Sequence, residues 1–204
     1  MILGEQPQDI QEENGHEIFQ AVQKDLEKDA KTNSDPCIRR YAILLLSQFG
    51  EDKYLELYIQ ALHDQDKGVR EQAGRALARL GSVAVHGLTI LLSDSDWKVR
   101  YRAAESLGLS NAPEAKVPLL KALTDEKDHV RYMAVKGIAM TGTPEDVGRL
   151  YPLLDDPNPY VRSMAVRTIG TFGGVSSREN LMKAFFKESE EEIRTIILNI
   201  INRT

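Results

Sequence analysis

The chain has 204 residues, a formal net charge of −5, 42% hydrophobic and 28% charged residues, and one cysteine. This composition is typical of a soluble helical protein, and no apolar run approaches the 18 residues that would indicate a membrane span. The acidic balance argues against a nucleic-acid-binding protein that acts through its whole surface. Cys37 has no partner for an internal disulfide, which favours a reducing compartment such as the cytoplasm.

A dipeptide of Val or Ile followed by Arg recurs along most of the chain. Its copies begin at Ile38, Val69, Val99, Val130, Val161 and Ile193, separated by 31, 30, 31, 31 and 32 residues. A fixed period of this length is typical of a solenoid, in which each unit is one supersecondary element stacked on the next.

Each period also carries signals for the two ends of a helix. Three residues before the Val or Ile stand Asp35, Asp66, Asp96, Lys127, Asn158 and Glu190. Four of these six are good N-caps. Twelve residues after it stand Gly50, Gly81, Asn111, Gly142 and Gly173, which are typical of a left-handed C-cap. Apolar residues between these signals fall on one helix face, so each period predicts a helix–turn–helix pair.

In chain order, an acidic leader over residues 1–15 precedes a single repeat domain over residues 16–204. Its repeats span about 16–49, 51–80, 82–110, 112–141, 144–173 and 176–204. The predicted helix pairs are Glu17–Lys31 with Pro36–Phe49, Glu51–His63 with Lys67–Leu80, Ser82–Leu92 with Trp97–Leu109, Pro113–Leu123 with Asp128–Thr141, Pro144–Leu154 with Pro159–Phe172, and Ser176–Lys187 with Glu191–Asn202. Pro118 and Pro152 fall inside first helices and are predicted to bend them.

The last predicted helix is apolar on nearly every side, with Ile196, Ile197, Leu198, Ile200 and Ile201. Terminal repeats usually carry a polar outer face. These side chains either fill the end of the array or form a surface for a partner, a second copy or further repeats.

An Asp and an Arg six residues apart recur with the same period. The pairs are Asp64 with Arg70, Asp94 with Arg100, Asp125 with Arg131 and Asp156 with Arg162. The Asp closes the first helix of a pair and the Arg opens the second, so stacked repeats would form a ladder of charge-assisted hydrogen bonds between neighbouring loops. We interpret the arginines as structural rather than as an anion site, because each has a carboxylate at fixed spacing.

The Asp-x5-Arg pair, the run Val99–Gly108 and Pro118 in the preceding helix resemble the HEAT repeat, specifically the short repeats of phycobilisome-lyase-like proteins. The resemblance covers roughly residues 17–204. It implies an all-α fold, a right-handed α-α superhelix of about six helix pairs, in which the second helices line a concave groove. HEAT-like arrays serve many unrelated tasks, so the resemblance does not specify the function.

Aromatic, Met and basic residues are concentrated at the positions that should face this groove. The candidate partner-binding residues are Arg75, Trp97, Lys98, Tyr101, Arg102, Tyr132, Met133, Lys136, Tyr160, Met164 and Arg167. Such side chains are enriched in the cores of protein–protein contacts. With seven basic and five acidic residues, the groove positions favour an acidic or mixed-charge protein or peptide over DNA, which needs a coherent basic stripe.

The residues of this chain give little support for the catalytic chemistry of similar repeat proteins. The deoxyhypusine hydroxylase type holds two irons with repeated His-Glu pairs, and here the one such pair is His16 with Glu17. The histidine spacings give no zinc pattern. Cys37 has no identifiable base, although Trp97, Tyr101 and Tyr132 could stack on a tetrapyrrole.

We therefore predict a non-catalytic protein-binding scaffold or adaptor, with no cofactor, no metal, no nucleic-acid partner and no membrane span. The alternative is a bilin lyase subunit or a chromophore-handling chaperone. Self-association through the apolar C-terminal helix is a further candidate interaction.

Overall fold

The computed structural model describes residues 7–203, and their side chains from Glu17 onward. Within this part of the chain the regular elements are α-helices and short 3₁₀ helices, with no strand. The predicted fold class is confirmed: the protein is an all-α helix-pair repeat of the HEAT-like superhelix type. The chain divides into two compact units, Met1–Ala76 and Leu77–Thr204, whose boundary falls inside one helix.

Unit 1 contains α1 (Pro7–Thr32), α2 (Pro36–Leu46), a 3₁₀ turn (Asp52–Tyr54) that leads into α3 (Leu55–Ala61), and most of α4 (Lys67–Arg79). Helix α1 packs on α2 and α3. The core lies between these helices and includes Ile43, Leu46, Tyr58 and Leu62.

Unit 2 begins with α5 (Ser82–Leu91) and α6 (Trp97–Leu109), followed by a 3₁₀ turn (Pro113–Ala115) that leads into α7 (Lys116–Ala122), and by α8 (Asp128–Thr141). Two 3₁₀ segments, Pro144–Arg149 and Tyr151–Asp155, then precede α9 (Pro159–Phe172). A 3₁₀ turn (Gly174–Ser177) leads into α10 (Arg178–Lys187), and α11 (Glu191–Ile201) follows. The second helices pack in sequence, α6 on α8, α8 on α9, and α9 on α11. Their buried seams repeat the Val and Ala positions, as Val130 with Ala134 and Val161 with Ala165 show.

The helix starts follow the capping signals. Asp35, Asp96 and Asn158 each accept a hydrogen bond from the backbone amide two residues later. Gly50, Gly81 and Asn111 have positive φ, although the ψ of −131° at Gly81 lies outside the left-handed helical region. Gly142 and Gly173 are the C-cap residues of their helices, as predicted, but they do not adopt the left-handed conformation and have φ near −80°. At these two ends, bonds from the glycine amides to Ile138 and Ile169 close the helix without a left-handed residue.

The first helix begins inside the predicted leader. Helix α1 starts at Pro7, and the division into a leader and a repeat domain stays a prediction. Residues 1–6 lie outside the described part of the chain.

The two prolines of the first helices act differently from the prediction. Pro118 is the third residue of α7, where its missing amide donor has no intrahelical partner to lose, so it does not need to bend the helix. Around Pro152 the predicted helix is absent, and two 3₁₀ segments on either side of Leu150 replace it. Pro152 and Gly148 together disfavour a continuous α-helix in this stretch.

The last helix, α11, has one buried side and one exposed side, which its apolar composition does not indicate. Ile193, Ile197 and Ile201 are buried on the inner side of α11, and Leu198 is exposed on the other. Among the helices of residues 7–203, none combines the length and the apolar content that crossing a bilayer requires.

Candidate functional site

Three recurrent arginines of unit 2 each clamp the acidic residue of the following repeat. Nε and Nη2 of each guanidinium donate to one carboxylate at 2.6–3.0 Å. The pairs are Arg100 with Asp125, Arg131 with Asp156, and Arg162 with Glu188. Nη1 of each arginine donates instead to the backbone oxygen of the Asp six residues earlier. The carboxylate partner thus comes from the next repeat, and the Asp of the same repeat contributes its carbonyl.

These clamps support a structural role for the arginines rather than a role in ligand binding. The carboxylates are buried and accept turn amides as well, as Asp156 does from the amide of Asn158 at 2.8 Å. The hydrogen bond from Arg162 holds the pKa of Glu188 below its usual value, and the hydrogen bond to Asp125 raises the pKa of Arg100. In unit 1, Arg39 clamps Asp64 in the same way. Guanidinium groups saturated in this manner have few donors left for an anion.

The candidate surface of unit 2 lies on α6, α8 and α9, and we call it the second-helix face. It comprises Trp97, Lys98, Tyr101, Tyr132, Lys136, Tyr160, Met164 and Arg167. At its N-terminal edge the rings of Trp97 and His129 lie 5.1 Å apart, and the ammonium of Lys127 lies 5.2 Å from the Trp97 ring. Such cation–π and ring contacts hold the indole in one orientation. The edge therefore presents Trp97 in a defined position on a half-exposed surface.

Asp128 links this aromatic edge to the next helix. Its Oδ1 lies 2.7 Å from Nδ1 of His129, and its Oδ2 accepts from Nδ2 of Asn158, the N-cap of α9. The hydrogen bond from His129, with that from Asn158, lowers the pKa of Asp128 to about 2. Asp128 thus contacts both His129, whose ring lies against Trp97, and the N-cap of α9.

Most of the predicted partner-binding residues of unit 2 reach the surface of this face. Lys98, Lys136, Tyr160 and Arg167 are exposed, and Tyr160 is 75% exposed. The half-buried members are Trp97, Tyr101, Tyr132 and Met164. None of these rings is sealed in the core. Arg75 is exposed as well, but it belongs to unit 1, where it pairs with Glu71.

Two predicted members, Arg102 and Met133, are buried, with 6% and 4% exposure. This position, three residues after the Val, is buried in α6 and α8, whereas its equivalent in α9, Met164, is half-buried. Arg102 is engaged by Glu105 one turn later, and Met133 borders the α6–α8 seam. Both side chains are buried in this structure, and their assignment as contact residues stays a prediction. Both contribute to the packing beneath the second-helix face.

Sequence reasoning missed the apolar C-terminal edge of the face. Leu109 and Met140, ten residues after their Val, are 43% and 51% exposed. They flank a depression floored by Gly108 and Gly137. The signal was present in the repeat alignment, because ten residues after the Val is an outward position that carries an apolar residue in just these two repeats.

Features of catalytic or metal sites are sparse in the described part of the chain. From residue 17 to residue 203, no group of three or more His, Cys, Asp or Glu side chains is placed to hold a metal ion. Cys37 is exposed on α2 of unit 1. The second-helix face of unit 2 offers rings, ammonium groups and a guanidinium, which suit binding.

The comparisons with known proteins agree with the repeat architecture. A model of HEAT repeats matches residues 24–89 and 85–156, and a HEAT repeat model matches residues 147–176. No curated protein sequence matches the chain significantly.

Several solved structures share the fold. One is from the complex of CpcE and CpcF of phycocyanin lyase from Nostoc sp. PCC7120, with a TM-score of 0.56 and 23% identity over 87% of this chain and 75% of that one. A computationally designed armadillo repeat protein for modular peptide recognition gives 0.56 and 23% over 97% and 99%. Another designed armadillo repeat protein, in complex with the peptide (KR)4, gives 0.54 and 21% over 87% and 98%.

These identities support the likeness in fold and not a shared ligand. The family models, by contrast, match the amino-acid sequence itself across most of its length. With its periodic Val-Arg pairs, stacked helix pairs and inter-repeat arginine clamps, the chain belongs to the HEAT repeat family.

Proposed function

We propose that the protein is a non-catalytic scaffold that binds a protein or peptide through the second-helix face of unit 2. The observation that carries this proposal is the presence of half-buried and exposed rings on three second helices that pack in sequence. These rings are Trp97 and Tyr101 on α6, Tyr132 on α8 and Tyr160 on α9. Rings of this kind provide a large contact area at low cost in conformational entropy.

These rings are not part of the fully buried core. The helix seams contain Val99, Val130 and Val161, which are at most 1% exposed. Trp97, Tyr101 and Tyr132 keep part of their surface exposed and Tyr160 is 75% exposed, so each can contact another molecule.

The charges on the face favour an acidic or mixed-charge ligand. Lys98, Lys136 and Arg167 are exposed, whereas Glu105 is engaged by the buried Arg102. Arg167 is 3.8 Å from Glu192 of α11, a weak exposed pair that a ligand carboxylate could replace. Electrostatic complementarity of this kind increases the association rate and the selectivity. The designed armadillo repeat protein in complex with (KR)4 binds a basic peptide. Its peptide-binding surface and the second-helix face of this chain should therefore differ in charge preference.

A double variant, Trp97→Ala with Tyr132→Ala, tests the proposal. We expect it to weaken binding of partners captured by the wild type at least tenfold, because central aromatic anchors carry much of the binding energy. The melting temperature should change little, since both rings are partly exposed. The matched control is Tyr151→Ala, because Tyr151 is a half-buried tyrosine outside the second helices. A large loss of stability in the double variant, with partner binding retained, would refute the assignment.

A bilin lyase subunit is the second candidate, supported by the similarity in fold to the CpcE and CpcF complex. In that case Trp97, Tyr101 and Tyr132 would stack on a tetrapyrrole. Incubation of the protein with a bilin and its apoprotein, followed by absorption spectroscopy, should then reveal a coloured adduct. A colourless mixture would remove this candidate. A catalytic role rests on that result, and cytoplasmic localisation remains a prediction.

Self-association through α11 is also a prediction. Leu198 and Asn199 are exposed on this helix. Sedimentation at increasing concentration should show a dimer that Leu198→Lys abolishes, and a monomer at every concentration would exclude this interaction.

A further inference from the structure

His129 lies at the N-terminal edge of the second-helix face and is not among the candidate partner-binding residues. Its side chain is 54% exposed. The centroid of its ring lies 5.1 Å from that of Trp97, which belongs to the neighbouring helix. A ligand group that packs on Trp97 would therefore also meet the imidazole of His129.

The contact with Asp128 determines which nitrogen of this imidazole carries the proton. Oδ1 of Asp128 lies 2.7 Å from Nδ1 of His129, and the hydrogen bond from His129 is the main cause that lowers the pKa of Asp128 to about 2. An ionised carboxylate can only accept, so Nδ1 carries the proton of this hydrogen bond. In the neutral imidazole, Nε2 then keeps its lone pair and is an acceptor.

The orientation of this acceptor is held by several contacts. Oδ2 of Asp128 accepts from Nδ2 of Asn158 at 2.5 Å, and Oδ1 also accepts from the backbone amide of His129 at 2.8 Å. Nε2 of His129 has no hydrogen-bond partner among the residues that the structure describes. The edge of the face thus presents an oriented acceptor that no described residue satisfies.

Charged groups around the imidazole come from the elements packed against it. At the start of α8, the ammonium of Lys127 lies 3.9 Å from Oδ1 of Asp128. On α6 the exposed basic side chain is Lys98, and the charged residues of α7 are Lys116 and Lys121. The start of α9 contributes an uncharged amide. Asp128 is therefore the carboxylate in direct contact with the imidazole, and the other neighbours are basic.

We propose that Nε2 of His129 accepts a hydrogen bond from an N–H or O–H group of the bound peptide, next to the ligand side chain that packs on Trp97. This inference rests on the proposed function, and it adds a polar contact that the aromatic rings do not provide. A ligand carboxylate at this edge would face the lone pair and Asp128, and is therefore disfavoured. Ligand carboxylates should instead lie farther along the face, near Lys136 and Arg167.

The position of the proton on His129 can be measured without a ligand. Long-range ¹H–¹⁵N NMR spectra at pH 8 distinguish a protonated ring nitrogen from an unprotonated one, and the spectrum of His129→Gln identifies the signals of His129. We expect the proton on Nδ1 and none on Nε2. A proton predominantly on Nε2 would overturn the inference, whatever the ligand.

The contact with the ligand is tested with 12-residue peptides, selected on the wild-type chain at pH 8 from a phage-displayed library and titrated by fluorescence anisotropy. His129→Asn keeps an amide donor for Asp128 but lacks the outer acceptor, so it should weaken binding about three- to tenfold, as loss of one hydrogen bond implies. His129→Gln, whose amide oxygen can accept in place of Nε2, should recover part of this loss. The matched control is His86→Gln, an exposed histidine of α5, which should leave the affinity unchanged.

A change of pH separates the hydrogen bond from simple ring packing. Between pH 8 and pH 5 the imidazole gains a second proton and Nε2 becomes a donor, so the wild-type affinity should fall, and it should fall less in His129→Asn. Asp128, with a pKa of about 2, stays ionised over this range. Tighter binding by the wild type at pH 5 would mean that the ligand presents an acceptor to His129, which contradicts the inference.

The outcomes distinguish this inference from the proposed function. Peptides may lose affinity for the Trp97→Ala, Tyr132→Ala double variant and yet bind His129→Asn as tightly as the wild type at both pH values. That result would overturn the role of His129 and leave the second-helix face intact. Circular dichroism melts establish that each variant folds. Failure to enrich any peptide on the wild type would count against both proposals.

Discussion

Removal of Asp156 should destabilise unit 2 far more than removal of its neighbour Asp155. Asp156 is 2% exposed in its side chain and accepts from Arg131 at 2.6 and 2.9 Å. Asp156→Ala leaves the guanidinium, 14% exposed, without its carboxylate. Breaking a buried ion pair from one side costs about 3–5 kcal/mol. The pair of Asp155 with Lys187 is exposed on both sides, so Asp155→Ala should cost less than about 1 kcal/mol.

Urea unfolding measures both losses, and fluorescence reports unit 2 because Trp97 is the sole tryptophan of the chain. The double variant Arg131→Ala with Asp156→Ala completes a cycle. Once Asp156 has been removed, Arg131→Ala removes a charge that is already unpaired. The free-energy cost of Arg131→Ala should therefore be about 1.5–3 kcal/mol smaller in the Asp156→Ala background than in the wild type. Additive losses within about 0.5 kcal/mol, or equal effects of Asp155→Ala and Asp156→Ala, would refute the clamp as a major source of stability.

The remaining predictions concern pH, packing and backbone approach. The pKa of Glu188 is lowered by the hydrogen bond from Arg162, so its stabilisation is complete above its unfolded pKa of about 4.3 and is lost as pH falls through the lower folded value. Melting temperatures below pH 5 should therefore fall less steeply in Glu188→Gln than in the wild type. Leu107→Ala should cost about 2–5 kcal/mol in urea unfolding because Leu107 is fully buried, and a loss below 1 kcal/mol would contradict that packing. Gly108→Ala should cost about 1–3 kcal/mol through its clash with Gly137, whereas Gly148→Ala, with no atom within 4 Å of the added Cβ, should change the melting temperature little.

The repeat itself could be predicted because its signals are local. Each signal involves only a few neighbouring residues: a capping Asp, a Val-Arg pair, or apolar residues three or four positions apart. Their spacing in the sequence therefore directly gives their spacing along the helix. The ends of α6 and α8 agree with the predicted Trp97–Leu109 and Asp128–Thr141 for this reason. Where local signals conflict, as Gly148 and Pro152 do with a helical apolar pattern, the prediction of a bent helix was wrong and 3₁₀ segments result.

Contacts between repeats lie beyond such local signals. The spacing of Asp125 and Arg131 correctly indicated a pairing of repeated residues, yet the carboxylate of Asp125 bonds to Arg100, 25 residues earlier. Arg102 and Met133 are buried where α6 and α8 pack together, a crossing that periodicity along one helix cannot specify. The contact of Gly108 with Gly137 arises from the same crossing. One helix's pattern defines its own faces, and only the packing of two helices decides which face is covered and which remains open to a partner.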